Sequence, residues 1–207
     1  MRLAVVTLLS TIVVACAGTT TAAPTTPPVA TATVGATTPA ASAATSALAC
    51  TAPAPTMVEL TEGPYYKAGA PQRTSLATAG VPGTPLVLSG YVVSTSCQPI
   101  AGAKLDFWQA DGNGSYDNSG YTLRGWQATD AYGAYRLETV IPGLYPGRTE
   151  HIHVKVTVSG KTYTSQLFFP GVAQNERDSI YSAQMLVKLN TASSPVTGTF
   201  TFVVNVS

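Results

Sequence analysis

The sequence predicts an all-β protein, an antiparallel β-sandwich with Greek-key connections, and three observations predict it. From residue 50 onward the apolar residues fall in short runs of strand length. Turn residues close each run, as in Asp111-Gly112-Asn113-Gly114 and Pro142-Gly143. No amphipathic stretch of helix length competes with them, and there is no internal repeat.

In chain order, the first segment stands apart, because none of the residues between Arg2 and Glu59 is charged. Arg2 and the largely apolar run from Leu3 to Val14 are too short to span a bilayer and suit a secretory h-region. The run ends Val13-Val14-Ala15-Cys16, which resembles the lipobox at which bacterial lipoprotein signals are cut. Residues 1–15 are therefore read as a lipoprotein-type signal peptide, with Cys16 lipidated. An ordinary signal cut at a later alanine is the alternative, and it would release a secreted protein. The expected location is the cell surface or periplasm if anchored. Residues 16–49 are almost wholly Ala, Thr, Pro and Ser, too poor in large apolar groups to offset the entropy of ordering, and read as a flexible linker. Residues 50–207 have the size of one domain.

With Cys16 lipidated or removed, the domain keeps Cys50 and Cys97, an even pair in an oxidising compartment. They are expected to form a disulfide pinning the domain's N-terminal end to the end of its first strand; two buried thiols are the alternative. A formal charge of +1 and a charged fraction of 10% give no support to a nucleic-acid or polybasic membrane surface, leaving an N-terminal lipid as the membrane contact.

The expected strands are Leu86–Val93, Ala103–Trp108, Gly133–Val140, His151–Ser159, Thr162–Phe169, Gln184–Leu189 and Gly198–Val206. The fourth carries the chemistry. His151 and His153 are the only histidines of the chain, and on a strand their imidazoles leave one face while Ile152, Val154, Val156 and Val158 line the other. Alone they also read as half-exposed sheet histidines. Tyr145, after the Pro142-Gly143 turn, and Tyr116, after the Asp111 to Gly114 turn, are candidate partners. A phenol, with an ordinary pKa of about 10, ionises at neutral pH only with a strong cation on its oxygen. Two imidazoles and two phenolates suit ferric iron, whereas zinc would draw cysteine or a third histidine. Two tyrosinates and one hydroxide neutralise Fe(III), which favours a poorly solvated pocket.

Several separate motifs then carry a resemblance. Thr61-Glu62-Gly63-Pro64-Tyr65-Tyr66, Cys97-Gln98-Pro99-Ile100-Ala101-Gly102-Ala103, Trp108-Gln109-Ala110-Asp111, Gly114-Ser115-Tyr116-Asp117, Leu123-Arg124-Gly125, Tyr145-Pro146-Gly147-Arg148 and Gln166-Leu167-Phe168-Phe169-Pro170-Gly171 occur in this order. Together they resemble the intradiol ring-cleavage dioxygenases, above all their small exported members, over most of residues 50 to 175. The resemblance implies a non-haem Fe(III) centre ligated by Tyr116, Tyr145, His151 and His153, with hydroxide in the fifth position. It further implies cleavage of a catechol-type diol by O2 to a cis,cis-muconate-type diacid, with no organic cofactor. By the same resemblance Tyr145 leaves the iron as the diol arrives and helps take up its proton, while Tyr116 stays bound. Arg148 stabilises negative charge on the substrate ring.

Gln166 is placed by parity. If Gly160-Lys161 is the hairpin turn, Ser159 pairs with Thr162 and Gln166 falls opposite Lys155, on the histidine face, where it would reach substrate or an oxygen intermediate. A one-residue change in loop length would put it in the core. Tyr65 borders the pocket or packs against a strand. Glu150 stands where relatives often have proline or alanine, and a pocket-facing carboxylate there would disfavour a substrate carrying its own. The segment Tyr145 to His151 is shorter than in the cytosolic members and no long helical N-terminal region is present, so helical dimerisation is not expected. A surface-tethered β-sandwich that binds a cell-wall polymer or host protein is the alternative function; there the four ligand residues would not converge.

Overall fold

The structure, a computed structural model, describes residues 50–206. The expected signal peptide, the Cys16 lipidation site and the linker to residue 49 lie outside the described residues. Eight strands form two sheets: β1 (Pro85–Ser94), β2 (Lys104–Gln109), β3 (Arg124–Ala128), β4 (Ala134–Val140), β5 (His151–Val158), β6 (Lys161–Phe168), β7 (Lys188–Asn190) and β8 (Val196–Val204). One sheet has the order β4-β1-β8-β7 and the other β3-β2-β5-β6. Leu86, Leu88 and Val92 of β1, Leu105 and Phe107 of β2, Ile152, Val154 and Val156 of β5, and Phe202 and Val204 of β8 fill the space between them. Each such side chain contributes roughly 1.5–3 kcal/mol by leaving water.

The sandwich is as expected, with three differences of detail. β1 and β8 run parallel, from Leu86↔Val196 to Ser94↔Val204, so the β4-β1-β8-β7 sheet is mixed rather than antiparallel. β3 has no counterpart among the expected strands, because Arg124 and Gly125 interrupt its apolar pattern; Arg124 is nevertheless buried, its guanidinium taken by backbone carbonyls. The expected strand Gln184–Leu189 is instead a 3-10 turn, Ala183–Met185, followed by the short β7. Its alternation is real, since Met185 and Val187 are buried, but the segment passes from the end of β6, where Val187 N–H donates to Phe168 O, toward β8.

Sheet β3-β2-β5-β6 positions the site. Its inner face is core; its outer face carries His151, His153 and Lys155 from β5 and Gln166 from β6. The hairpin turn is Ser159-Gly160, not Gly160-Lys161: both residues have positive φ, 50° and 82°, as a type I′ turn requires. Moving the turn by one residue shifts the register by two. Gln166 therefore pairs with His153 rather than Lys155, and stays on the same face. A strap over residues 57–66 covers the β6 edge, through Leu60 N–H to Thr164 O and Ser165 Oγ to Val58 O, and then crosses the outer face. Cys50 and Cys97 are joined by a disulfide, which ties the chain ahead of the strap to the turn after β1.

Candidate metal centre

His151 and His153 project from β5 beneath the strap and two loops, and are only 2% and 1% exposed. Two loops bring phenols to them. Asp111 accepts hydrogen bonds from the backbone of Asn113 and Ser115, which shapes the turn leading to Tyr116. Gly114 in that turn has φ 78°, and a Cβ there would lie 2.0 Å from Leu144 O. Only glycine lets the Tyr116 and Tyr145 loops approach this closely. Tyr145 and Arg148 flank a tight turn closed by Arg148 N–H to Tyr145 O at 2.9 Å, with Pro146 at its second position and Gly147, φ 78°, at its third. Their side chains therefore emerge together.

Four donors gather at one place. His151 Nε2 lies 3.0 Å from His153 Nε2 and 3.4 Å from Tyr145 Oη. The Tyr116 ring stands 5.7 Å from that of Tyr145 and 6.5 Å from that of His153. His151 Nδ1 is 2.6 Å from Thr149 O, an atom that only accepts, which assigns the proton to Nδ1 and a lone pair to Nε2. Tyr116 Oη and His153 Nδ1 are buried without a hydrogen-bond partner. Two imidazole nitrogens facing each other beside an unpartnered phenol are poorly satisfied by hydrogen bonds among themselves, and a cation between them would satisfy them all. Among the described residues no three His, Cys, Asp or Glu side chains cluster as a metal site, and the donor set that does gather, two imidazoles and two phenols, fits ferric iron.

Electrostatics favour the ligating forms of the histidines. Burial, aided by the Arg148 charge, lowers the His151 pKa to about 4, and burial with His151 and Arg148 carries His153 well below its ordinary value. Both imidazoles are neutral at pH 7 and offer lone pairs without losing protons. The phenols go the other way: burial pushes Tyr116 far up, with the neighbouring Tyr145 adding to it, and burial also raises Tyr145 against the pull of Arg148. Without a cation both stay protonated.

The remaining expected residues surround this cluster. Arg148 Nη1 donates to Tyr145 Oη at 3.1 Å, its Nη2 to Gln166 Oε1 and its Nε to Asp178 Oδ2 at 2.9 Å. Gln166 is fully buried, and its Nε2 donates to Thr61 O at 2.8 Å, so it links Arg148 to the strap. Tyr65, carried by the strap, stacks on Tyr116 at 4.3 Å and meets Tyr145 edge-on at 6.1 Å. Glu150, just before β5, is half-buried, and burial raises its carboxyl.

Other contributors were given no role of their own from the sequence, although Trp108, Arg124 and Gly63 lie in motifs that carry the resemblance. Trp108, directly opposite His153 in the register, stacks on it at 4.7 Å with planes 8° apart. Arg124 donates to Asp117 O and Tyr65 O from beneath the Tyr116 ring. Gly63 leaves room over His153, whose Cε1 would be 3.4 Å from a Cβ there. Thr149 is held by Asn175 and Asp178 and in turn holds His151. A concavity of about 660 Å³ lies on the other sheet, between Met57, Tyr91, Met185 and Phe200, and includes none of these groups.

A family model described as "Dioxygenase" matches residues 61–204. Hydroxyquinol 1,2-dioxygenase of Rhodococcus opacus is 28% identical over 148 residues, covering 59% of this chain and 49% of that protein. Catechol 1,2-dioxygenase 2 of Acinetobacter lwoffii is 33% identical over 137 residues, 53% of this chain and 50% of that protein. The chain thus spans about half the length of the curated relatives it matches. Among solved structures, the dioxygenase domain of a dioxygenase carbohydrate-binding protein fusion from Streptomyces sp. SirexAA-E superposes with a TM-score of 0.72 at 45% identity, covering 74% of this chain and 100% of that one.

Proposed function

Because the chain belongs to the intradiol ring-cleavage dioxygenase family, we propose that it cleaves a catechol-type aromatic between its two hydroxyl-bearing carbons, with dioxygen, to a cis,cis-muconate-type diacid. The observation that carries this reading is the convergence of His151, His153 and Tyr145 around one point, beside the unpartnered phenol of Tyr116. These four residues would hold Fe(III), which supplies the Lewis acidity that binds the diol as its dianion and opens the ring to dioxygen.

The chain's own groups do the rest. Tyr145 Oη, paired with Arg148 and ionised only when a cation sits on it, would take up one proton of the arriving diol. Arg148 keeps its guanidinium beside the site, where negative charge develops on the ring. Gln166 steadies Arg148 from the strap side, and Tyr65 walls the pocket over both phenols. The Cys50–Cys97 disulfide supports export into an oxidising compartment, with Cys16 as the proposed site of lipid attachment.

The test is the visible absorption spectrum of the purified, iron-loaded protein, before and after catechol is added without oxygen. A tyrosinate-to-iron band that shifts with catechol is the expected result. A colourless protein that binds no iron would refute the reading.

A further inference from the structure

Asp178 is thirty residues from Arg148 in sequence, just past the 3-10 turn Ala173–Arg177, yet its carboxylate meets the guanidinium in space. Its Oδ2 accepts from Arg148 Nε and from the Thr149 amide, both at 2.9 Å, and its Oδ1 accepts from the Ile180 amide at 2.9 Å. The Asp178 side chain is 1% exposed and that of Arg148 13%. Three donors on one buried carboxylate leave it no freedom to turn. A guanidinium is planar, so fixing its Nε edge fixes the directions of both terminal nitrogens, here toward Tyr145 Oη and Gln166 Oε1.

We propose that Asp178 is a positioning residue that aims the Arg148 guanidinium at the site where the diol binds, a role that rests on the dioxygenase reading above. A buried ion pair is a poor source of net stability, since desolvation offsets most of the attraction, and its gain here is direction. A contact to the Nε edge also leaves the substrate-side nitrogens unused by the acid. Within the same cluster a competing route exists. Asp178 also holds the Thr149 amide, and Thr149 O fixes His151, so the carboxylate would matter through the metal ligand instead.

Asp178→Asn separates the two. The amide matches the carboxylate in size but replaces one acceptor with a donor, so one of the three N–H groups loses its partner. On the metal-free protein, the Arg148 Nε–H resonance is expected to be protected from exchange in the wild type and to lose that protection in the variant. On the iron-loaded protein, the iron stoichiometry is expected to hold while kcat/KM for catechol falls roughly 10- to 100-fold, the usual cost of losing an outer support. Asp178→Glu, which keeps the charge and serves if the asparagine variant does not fold, displaces the carboxylate by one methylene; it should move the resonance and lower kcat/KM. A kcat/KM within about twofold of wild type in a variant whose resonance has moved would overturn the proposal, as would an unchanged resonance. Loss of iron in step with activity would overturn it in favour of the Thr149 route. A wild type that is inactive toward catechol, hydroxyquinol and protocatechuate alike defeats the dioxygenase reading, and the resonance measurement still decides whether Asp178 holds the guanidinium.

Discussion

Replacing Tyr116 by phenylalanine should move the stability of the metal-free and iron-loaded proteins in opposite directions. The Tyr116 hydroxyl is buried with no partner in good hydrogen-bond geometry, the phenol of Tyr145 being a polar neighbour, so in the metal-free protein it carries a desolvation penalty of about 1–3 kcal/mol that is at best weakly offset. The ring itself is well placed, stacked on Tyr65 at 4.3 Å with Arg124 beneath it, and Tyr116→Phe keeps those contacts. Removing one oxygen should therefore stabilise the metal-free protein by about 1 kcal/mol or more. For a domain of this size each kcal/mol corresponds to roughly 2–4 °C in Tm. With iron the sign reverses. A metal present at a hundred times its Kd stabilises the wild type by about 2.7 kcal/mol, and a variant missing one of the four proposed ligands is expected to forgo most of that gain. The assay is a pair of thermal melts for each protein, with and without Fe(III), together with the visible spectrum. A metal-free variant that melts several degrees below wild type would show that the hydroxyl has a structural partner, and a variant that binds iron as tightly as wild type would remove Tyr116 from the ligand set.

Three other outcomes follow from the same geometry. His151 has its pKa lowered to about 4 from 6.5, so the folded, metal-free protein takes its proton less readily than the unfolded chain; stability is full above pH 6.5 and falls by about 3 kcal/mol as the pH drops through 4, with His153 acting in the same direction. Denaturant melts between pH 7 and pH 4 check this, and a flat profile would contradict it. Cys97→Ser opens a loop of 47 residues' separation and should cost about 4 kcal/mol in the chain-entropy account, read from the denaturant midpoint under oxidising conditions. Gly114→Ala forces a methyl group onto Leu144 O and parts the two tyrosine loops; iron affinity should fall at least tenfold, by equilibrium titration, while the far-ultraviolet spectrum stays that of the wild type.

What the sequence made legible follows from what each residue depends on. The two histidines and their apolar counterparts could be assigned to opposite faces because that assignment depends only on strand parity, and Gln166 kept its face because the turn moved by one residue and the register by two. β3 was hidden because Arg124 is a core residue for a tertiary reason, its bonds to Asp117 O and Tyr65 O, which no local pattern encodes. Tyr116 and Tyr145 could be named as candidates from the turns that precede them, and the resemblance then implied them as ligands; nothing in their spacing alone brings Tyr116 to His153. Asp178, Asn175 and Thr149 could not be picked out because they meet across 26 to 29 residues, in segments without regular periodicity.

The placing of β8 beside β1 bears on how the protein comes to exist. The strands of the sheet that bears the histidines and Gln166 lie close together in sequence, within residues 104–168, but the opposing sheet has β8 between β1 and β7, and β8 comes last of the eight described strands in chain order. Until residues 196–204 are available, β1 has an open edge and the core lacks Phe202 and Val204, so the packing of the two sheets on each other waits for β8. A chain threaded through a membrane channel from its N-terminus would thus complete the sandwich that backs the candidate metal site only after residues 196–204 had crossed.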